Sequence, residues 1–321
     1  MALIGTDINK AVELLQEGKL VAIPTETVYG LAGNALNEDA VLKIFEAKNR
    51  PSFDPLIVHV GNLYDLDKYI IKPGLDLDFL NLAWPGSLTV IFDKKTLIPH
   101  LVTSGLSTVG IRMPDHPLTL ELLNSIRFPL AAPSANPFGY VSPTTAQHVN
   151  QYLGDKIDYI LDGGPCKVGI ESTIMGFEDE EPRVYRLGGM DIEKLKHYLK
   201  TDNLKIELNK SSDPVAPGML KSHYAPSKPF FLYSDYKLFS TSFDGKKAAY
   251  ITFEDSIEEH QNSYNFVLSP LGDMKEAARN LFKIMREADE SDCDVILAEE
   301  VPENGLGLAI NDRLRRASVK G

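Results

Sequence analysis

The sequence predicts an α/β protein in two unequal parts. Short apolar, β-branched runs alternate with segments of helical periodicity through residues 1–200. A proline-rich stretch without periodicity follows at 201–228, and the alternation resumes over 229–321. The length, 321 residues, suits two domains better than one.

In chain order, Ile8, Ala11, Leu14 and Leu15 share one face of a helix over 7–17, with Asp7 as N-cap and Gly18 as its stop. LVAIP (20–24) reads as a strand. Asn37 caps a second helix that carries Val41, Ile44, Phe45 and Lys48 and is closed by Pro51. LIVHV (56–60), SLTVIF (87–92), STVGIRM (107–113), PLAA (129–132) and YIL (159–161) are strands, separated in part by helices near 117–126 and 144–153. In the last part FFLY, KAAYITF, NFVLS and DVILAEE alternate with helices at 273–288 and 305–317, a small α/β domain of ordinary size. There is no internal repeat.

Charge and composition exclude several classes. The net charge is −12, and residues 229–321 carry half of it, 11 Lys/Arg against 17 Asp/Glu. Neither part is a basic nucleic-acid platform, so an anion site must be a local gathering of cations. Two cysteines, Cys166 and Cys293, are too few for a disulfide framework or a zinc cluster. Cys166 reads as a small buried residue. No apolar run reaches 18 residues and no signal segment opens the chain, which predicts a cytoplasmic protein that meets no membrane.

The chemistry-bearing residues gather at strand and helix ends. Lys48 and Arg50 close the second helix just before Pro51 and the strand that carries His59. Alone, the pair is an ordinary placement of cations at a helix C-terminus, and His59 an ordinary core histidine. PTETVYG (24–30) reads as a polar turn, with Gly30 and Gly33 permitting tight backbone. Arg112 ends a strand. APSAN (132–136) ends another, where Ser134 and Asn136 would face the same way if extended. In open α/β sheets such ends bind ligands. Ser142 follows in YVSPTT, and GGPCKVGIESTI offers a Gly-rich phosphate cradle before Glu171, Ser172 and Thr173. Arg186 sits beside Gly188 and Gly189. Neither GxxxxGK[ST] nor a GxGxxG after the first strand is present. Lys48, Arg50, Arg112 and Arg186 converging on one pocket would suit a triphosphate, or a carboxylate with a phosphate.

PTETVYGLAGNA, KxRP followed by PLIVHV, PGSLTVIF, STVGIRMP, APSANPFGYVSPTTA, DGGPCKVGIESTI and APGMLKSHYAP, in that order, resemble the YrdC-like family in its long two-domain form. The resemblance is strong over residues 1–190 and weaker beyond, where GLGLAINDRLRRAS carries it. It implies a twisted mixed sheet with flanking helices and a concave cavity (1–200), a linker or lid (201–228) and a small Rossmann-like α/β domain (229–321). It implies an enzyme, a nucleotidyltransferase, that forms L-threonylcarbamoyladenylate and pyrophosphate from L-threonine, bicarbonate and ATP with Mg2+. The product would feed a tRNA-modifying threonylcarbamoyl transferase machinery. Thr27, His59, Arg112, Ala132 and Ser172 match threonine-side positions. Arg50, Asp54, Thr108, Ser134, Ser142, Arg186 and His223 match ATP-side positions. Lys48, Arg50, Ser134 and Asn136 match the family's catalytic set.

Cations at these places would hold three mutually repelling reactants together. Magnesium would ride on the phosphates and need no protein cage. Lys48 and Arg50, at a helix end, should be dispensable for folding and form a phosphate and carbamate clamp. Three residues depart from the family pattern: Asp54 where Asn is usual, ESTIMG without its closing Asp, and Leu187 where Pro is common. An ionised Asp54 would repel phosphates unless a neighbouring Arg or the metal compensates. His223 and Tyr224 are odd choices for a spacer, so the linker is expected to close over the cavity. Two other classes fit the cations less well: a nucleic-acid-binding module, which would need aromatic interleaving, and a carbamoyl-adenylate enzyme with a different acceptor. No stable nucleic-acid binding is expected.

Overall fold

The computed structural model describes residues 1–74, 76–208, 223–234, 246–256 and 263–319. The lid expected of 201–228 therefore lies outside the described residues except at its two ends. The first sheet contains β1 (Leu3–Gly5), β2 (Val21–Ile23), β3 (Gly30–Asn34), β4 (Ile57–His59), β5 (Leu88–Asp93), β6 (Thr108–Arg112), β7 (Leu130–Ala131), β8 (Tyr159–Leu161), β9 (Thr173–Glu178), β10 (Glu181–Arg186) and β11 (Lys205–Ile206). They lie in the order β1-β8-β2-β3-β7-β4-β6-β5-β9-β10-β11, with parallel and antiparallel pairs mixed. The second sheet, β12 (Phe230–Leu232), β13 (Ala248–Thr252), β14 (Tyr264–Val267) and β15 (Val295–Ala298), runs β12-β15-β13-β14 and is parallel throughout.

The helix caps follow the sequence. The Asp7 carboxylate accepts from the Lys10 N–H at 3.2 Å, and the Asn37 amide oxygen accepts from the N–H groups of Asp39 and Ala40. The helix Glu38–Lys48 ends before Pro51 is reached. Asn49 takes a left-handed φ of 50°, and the Arg50 N–H returns to the Phe45 carbonyl at 2.9 Å. This closing turn leads the chain back into the molecule, so that Lys48 and Arg50 are both buried.

Register does the rest. Parallel pairing of β4 with β6 sets His59 beside Arg112, and β7 lies on the other side of β4. Where the chain leaves β7, the Ala132 N–H donates to the Ile57 carbonyl at 3.0 Å. His59 and Arg112 thus stand side by side at the ends of β4 and β6, while antiparallel β7 carries Ala132 back along β4 to Ile57.

Some sequence expectations fail here. Gly30 and Gly33 lie inside β3, not in a turn. A Cβ on Gly30 would stand 3.3 Å from the Ala132 Cβ, and one on Gly33 3.1 Å from a Leu20 methyl, so these glycines permit close packing across the sheet. The β9–β10 hairpin has no counterpart in the sequence reading: Thr173–Gly176 are all buried and show no alternation, and the charged residues of the turn and of β10 hide the rest. Lys205–Ile206, read as linker, pairs with β10 and keeps the chain on the first sheet.

The two sheets share one interior. A single buried apolar cluster extends from the β2–β4 region through Tyr224 to Leu281, Phe282 and Met285 of the helix Met274–Glu290. Gly169, at φ +83°, lies directly against that helix, and a Cβ there would stand 2.4 Å from the Arg279 Cα. No described helix is long and apolar enough to cross a membrane. Gly169→Ala should therefore destabilise the whole chain by about 1–3 kcal/mol, since backbone faces backbone and neither side can yield cheaply. Thermal denaturation measures it; a wild-type melting temperature would show that the seam can open without cost.

Candidate active site

A cavity of about 50 Å³ opens where the ends of β4 and β6 and the segments after β7 and β10 meet. Of the residues picked from sequence, Arg50, His59, Arg112, Ala132, Ser134, Ser172, Arg186 and His223 line it. Lys48, Asp54, Thr27, Asn136 and Ser142 are buried around it without lining it. Thr108, at the far end of β6 from Arg112, lines a neighbouring hollow with Pro55, Leu56 and Thr89.

Each cation is fastened from behind. Arg112 Nη2 donates to Glu26 Oε1 at 2.7 Å and to Thr27 Oγ1 at 2.8 Å. Glu26 also accepts from the Ser87 hydroxyl and the Asp115 N–H, which fixes its carboxylate on three sides. Arg186 donates to the Ser172 carbonyl through Nε and Nη2, at 3.1 and 2.9 Å, and reaches the Ser172 hydroxyl at 3.1 Å. Gly188 allows this: a Cβ there would stand 2.3 Å from the Glu171 carbonyl oxygen. Arg50 donates to the carbonyls of Asp54 and Pro55.

Asp54 explains itself in this setting. It is fully buried and does not face the cavity; its Oδ2 lies 2.8 Å from Arg50 Nη2, off the hydrogen-bond direction. Burial pushes its carboxyl up, against the pull of Arg50, Lys48 and Arg186. The repulsion expected of an acid at this position is thus answered by the neighbouring arginine.

Lys48 is the main correction. Its side chain is 1 % exposed, and its ammonium donates to the Ser134 carbonyl at 2.6 Å and to the Asn136 carbonyl. Burial, and then the Arg50 charge, push its pKa well below the ordinary lysine value. The helix-end reading failed because the Asn49 turn brings the last helical residue under the 132–136 segment. Ser134 and Asn136 also do not face the same way. The Asn136 N–H turns back to the Ser134 carbonyl, and its amide donates to the Pro137 and Tyr140 carbonyls.

The Gly-rich stretch is not a phosphate cradle. The Gly163 N–H donates to the Tyr29 hydroxyl, Gly164 to Asp162, Cys166 to the Thr144 carbonyl, and Val168 and Gly169 to the carbonyls of Glu26 and Thr27. These donors hold the loop to the sheet. Cys166 is buried, and burial raises its thiol pKa to about 12, so it is inert.

Some polar groups around the cavity have no partner within the protein, among them His59 Nδ1, His223 Nδ1 and the Tyr224 hydroxyl. Buried polar groups are otherwise nearly always bonded, which makes these the natural contacts of a ligand. Tyr224 holds a left-handed φ of 66°, a conformation that a tyrosine rarely adopts outside a constrained site. Burial, then the Arg112 charge, lowers the His59 pKa to about 3. Burial also pushes His223 well below its ordinary value, helped by Arg316 and Arg50. Sequence reading missed Glu26, and it named Glu171 and Tyr224 without giving either a role at the site. Glu26 lies within PTETVYG, where a carboxylate in a polar turn carries no signal that it is buried against a cation.

Three arginines and a neutral histidine around one cavity at strand ends define an α/β enzyme built to hold anions. The Sua5/YciO/YrdC family, described as "Telomere recombination", matches residues 13–188, and the threonylcarbamoyl-AMP synthase C-terminal domain matches 190–319. The chain is 40% identical to the threonylcarbamoyl-AMP synthase of Pyrococcus abyssi, over 97% of this chain and 94% of that one. It is 38% identical to the Bacillus subtilis enzyme of the same name, over 97% and 92%. A crystal structure of P. abyssi Sua5 complexed with L-threonine superimposes with a TM-score of 0.88 at 37% identity, covering 99% of this chain and 97% of that one. This chain belongs to the threonylcarbamoyl-AMP synthase family, in its long two-domain form.

Two outcomes follow from the site. Lys48→Ala takes the lysine bond from the Asn136 carbonyl, at about 1–3 kcal/mol, and one of two bonds from the Ser134 carbonyl, so it should lower the melting temperature as well as abolish activity; an inactive variant as stable as the wild type would restore the solvent-facing clamp. In acid, the unfolded chain takes up a proton at each histidine near pH 6.5, while folded His59 stays neutral to about pH 3 and His148 to about pH 4, both mainly through burial. Their contribution is full above pH 6.5 and is lost as the pH falls toward 4. His59→Gln should flatten that fall in melting temperature; an unchanged slope would mean that His59 protonates freely in the fold.

Proposed function

We propose that the cavity joins L-threonine, bicarbonate and ATP into threonylcarbamoyl-AMP and pyrophosphate, which makes the protein a nucleotidyltransferase. The observation that carries this reading is the convergence of Arg50, Arg112 and Arg186 with neutral His59 on one cavity. Family membership, and the L-threonine held by the P. abyssi relative, support threonine as the acceptor. They do not favour a nucleic-acid-binding module or another acceptor.

The chemistry divides along the cavity. On the threonine side, Arg112, whose Nη2 is committed to Glu26 and Thr27 and whose Nε donates to the Gly86 carbonyl, receives the carboxylate through Nη1. Ser172 and the Ala132 backbone border the same end. His59 offers an unpartnered nitrogen to the amine. The amine attacks bicarbonate, water leaves, and a carbamate forms. On the ATP side Arg50 and Arg186, with Ser134, Ser142 and His223, hold the phosphates and nucleoside. A carbamate oxygen then attacks the α-phosphorus, and the bond to pyrophosphate breaks. Mg2+ would be held by the ATP phosphates, as a hard cation that keeps several of its waters, and would neutralise charge there. Lys48 and Asn136 shape the Ser134 turn, and Thr108 stands furthest from the reaction. The labile product passes to a tRNA-modifying transferase, in the cytoplasm.

Pyrophosphate release should require all three substrates, and Arg50→Ala should slow it a hundredfold or more, about 2.7–4 kcal/mol by analogy with other transition-state donors. Release that ignores threonine or bicarbonate would sink the reading; near wild-type turnover in Arg50→Ala would remove Arg50 from it.

A further inference from the structure

The second domain reaches the cavity through two arginines. Arg313, on the helix Gly307–Ser318, is 0 % exposed. Its Nε and Nη2 donate to Glu171 Oε2 at 3.2 and 3.1 Å, its Nη1 donates to the Leu187 carbonyl, and its guanidinium covers the Tyr224 ring. Glu171 lines the cavity, and its other oxygen accepts from the Ser142 hydroxyl. Arg286, on the helix Met274–Glu290, lies over the rings of Tyr140 and Tyr152 and donates to the Val141 carbonyl, next to Ser142. The Ser142 segment is therefore gripped from both sides by residues outside its own domain. Ser172 is held differently: its hydroxyl and carbonyl are bonded to Thr89 and Arg186 of the first sheet.

We propose that Arg313 is a positioning residue for the nucleotide side of the cavity: by pairing with Glu171 it fixes the Ser142 hydroxyl, so that the second domain completes the ATP site and leaves the threonine site self-supported. A hydroxyl whose proton is committed to a carboxylate presents only lone pairs to a ligand. Ser142, which lies behind the cavity wall and meets the cavity through Glu171, can thus offer the nucleoside only an acceptor and has no proton for a phosphate. Removal of the Arg313 charge lets Glu171 take up a proton and donate to Ser142, which reverses that polarity. The inference rests on the assignment of ATP to this side.

Arg313→Gln, Arg313→Lys, Glu171→Gln and the double variant would be titrated calorimetrically in the full chain, with Mg-ATP and with L-threonine separately. Thermal melts establish which variants fold. Arg313→Gln and Glu171→Gln should each weaken ATP binding tenfold or more and change threonine binding less than threefold. The double variant should be no worse than either single one, and Arg313→Lys should recover part of the loss. Unchanged ATP affinity in either folded single variant overturns the proposal, as does equal loss for both ligands, the mark of a merely structural ion pair. Should Arg313→Gln not fold, Glu171→Gln carries the same decision alone. A wild-type protein that binds threonine but no ATP would fail the functional assignment instead, and is told apart by the wild-type titration.

Discussion

The structure depends on burying positive charge inside an acidic protein. Arg50, Arg112, Arg186, Lys48 and Arg313 all lose most of their contact with water, and a buried cation is tolerated only with a counter-charge or enough carbonyl oxygens. Each finds one or both. Arg112 has Glu26, Arg50 has Asp54 with two carbonyls, Arg313 has Glu171, and Lys48 and Arg186 have backbone oxygens. Much of the loop structure at the strand ends exists to present those oxygens.

The same solutions prepare the cavity for anions. A guanidinium fixed from behind keeps its remaining N–H groups aimed and needs little reorganisation when a carboxylate or phosphate arrives. The carboxylates Glu26 and Asp54 lie behind the cavity wall, and Glu171, which lines it, is paired with buried Arg313, so Arg50, Arg112 and Arg186 give the face that a ligand meets a cationic balance. Neutral His59 adds a group that can accept without adding charge.

The two domains are two by sheet and one by core. The apolar cluster runs through Tyr224 into the helix Met274–Glu290, and Gly169 lets that helix lie against the loop that leads to Glu171. Chain 223–228 belongs to this seam: the Ala225 N–H donates to the Gly139 carbonyl, and Asp289 receives Ser227, Lys228 and Tyr140. Position at the seam gives His223 and Tyr224 a place on the cavity wall, which a solvated tether would not have.

By itself, the sequence determined the local elements and the chemical vocabulary of the site. Periodicity and caps gave the helices 7–17 and 37–48 and the strands around 20–24, 56–60 and 107–113 nearly to the residue, because those signals are local: one face to bury, one orphaned N–H group to satisfy. Alone, Arg50 reads as a helix-end cation and His59 as a core histidine; the ordered motifs around them, through the family they resemble, made them legible as site residues. Tertiary structure alone decided what each group does. Lys48 reads as a surface cation until Asn49 turns the chain beneath Ser134. The glycines of DGGPCKVG read as an anion cradle until their N–H groups are seen bonded to the sheet. Glu26, Glu171 and Arg313 acquire meaning only through partners 86, 29 and 142 residues away. A buried charge is defined by what lies opposite it, and contacts that distant leave no periodic trace along the chain.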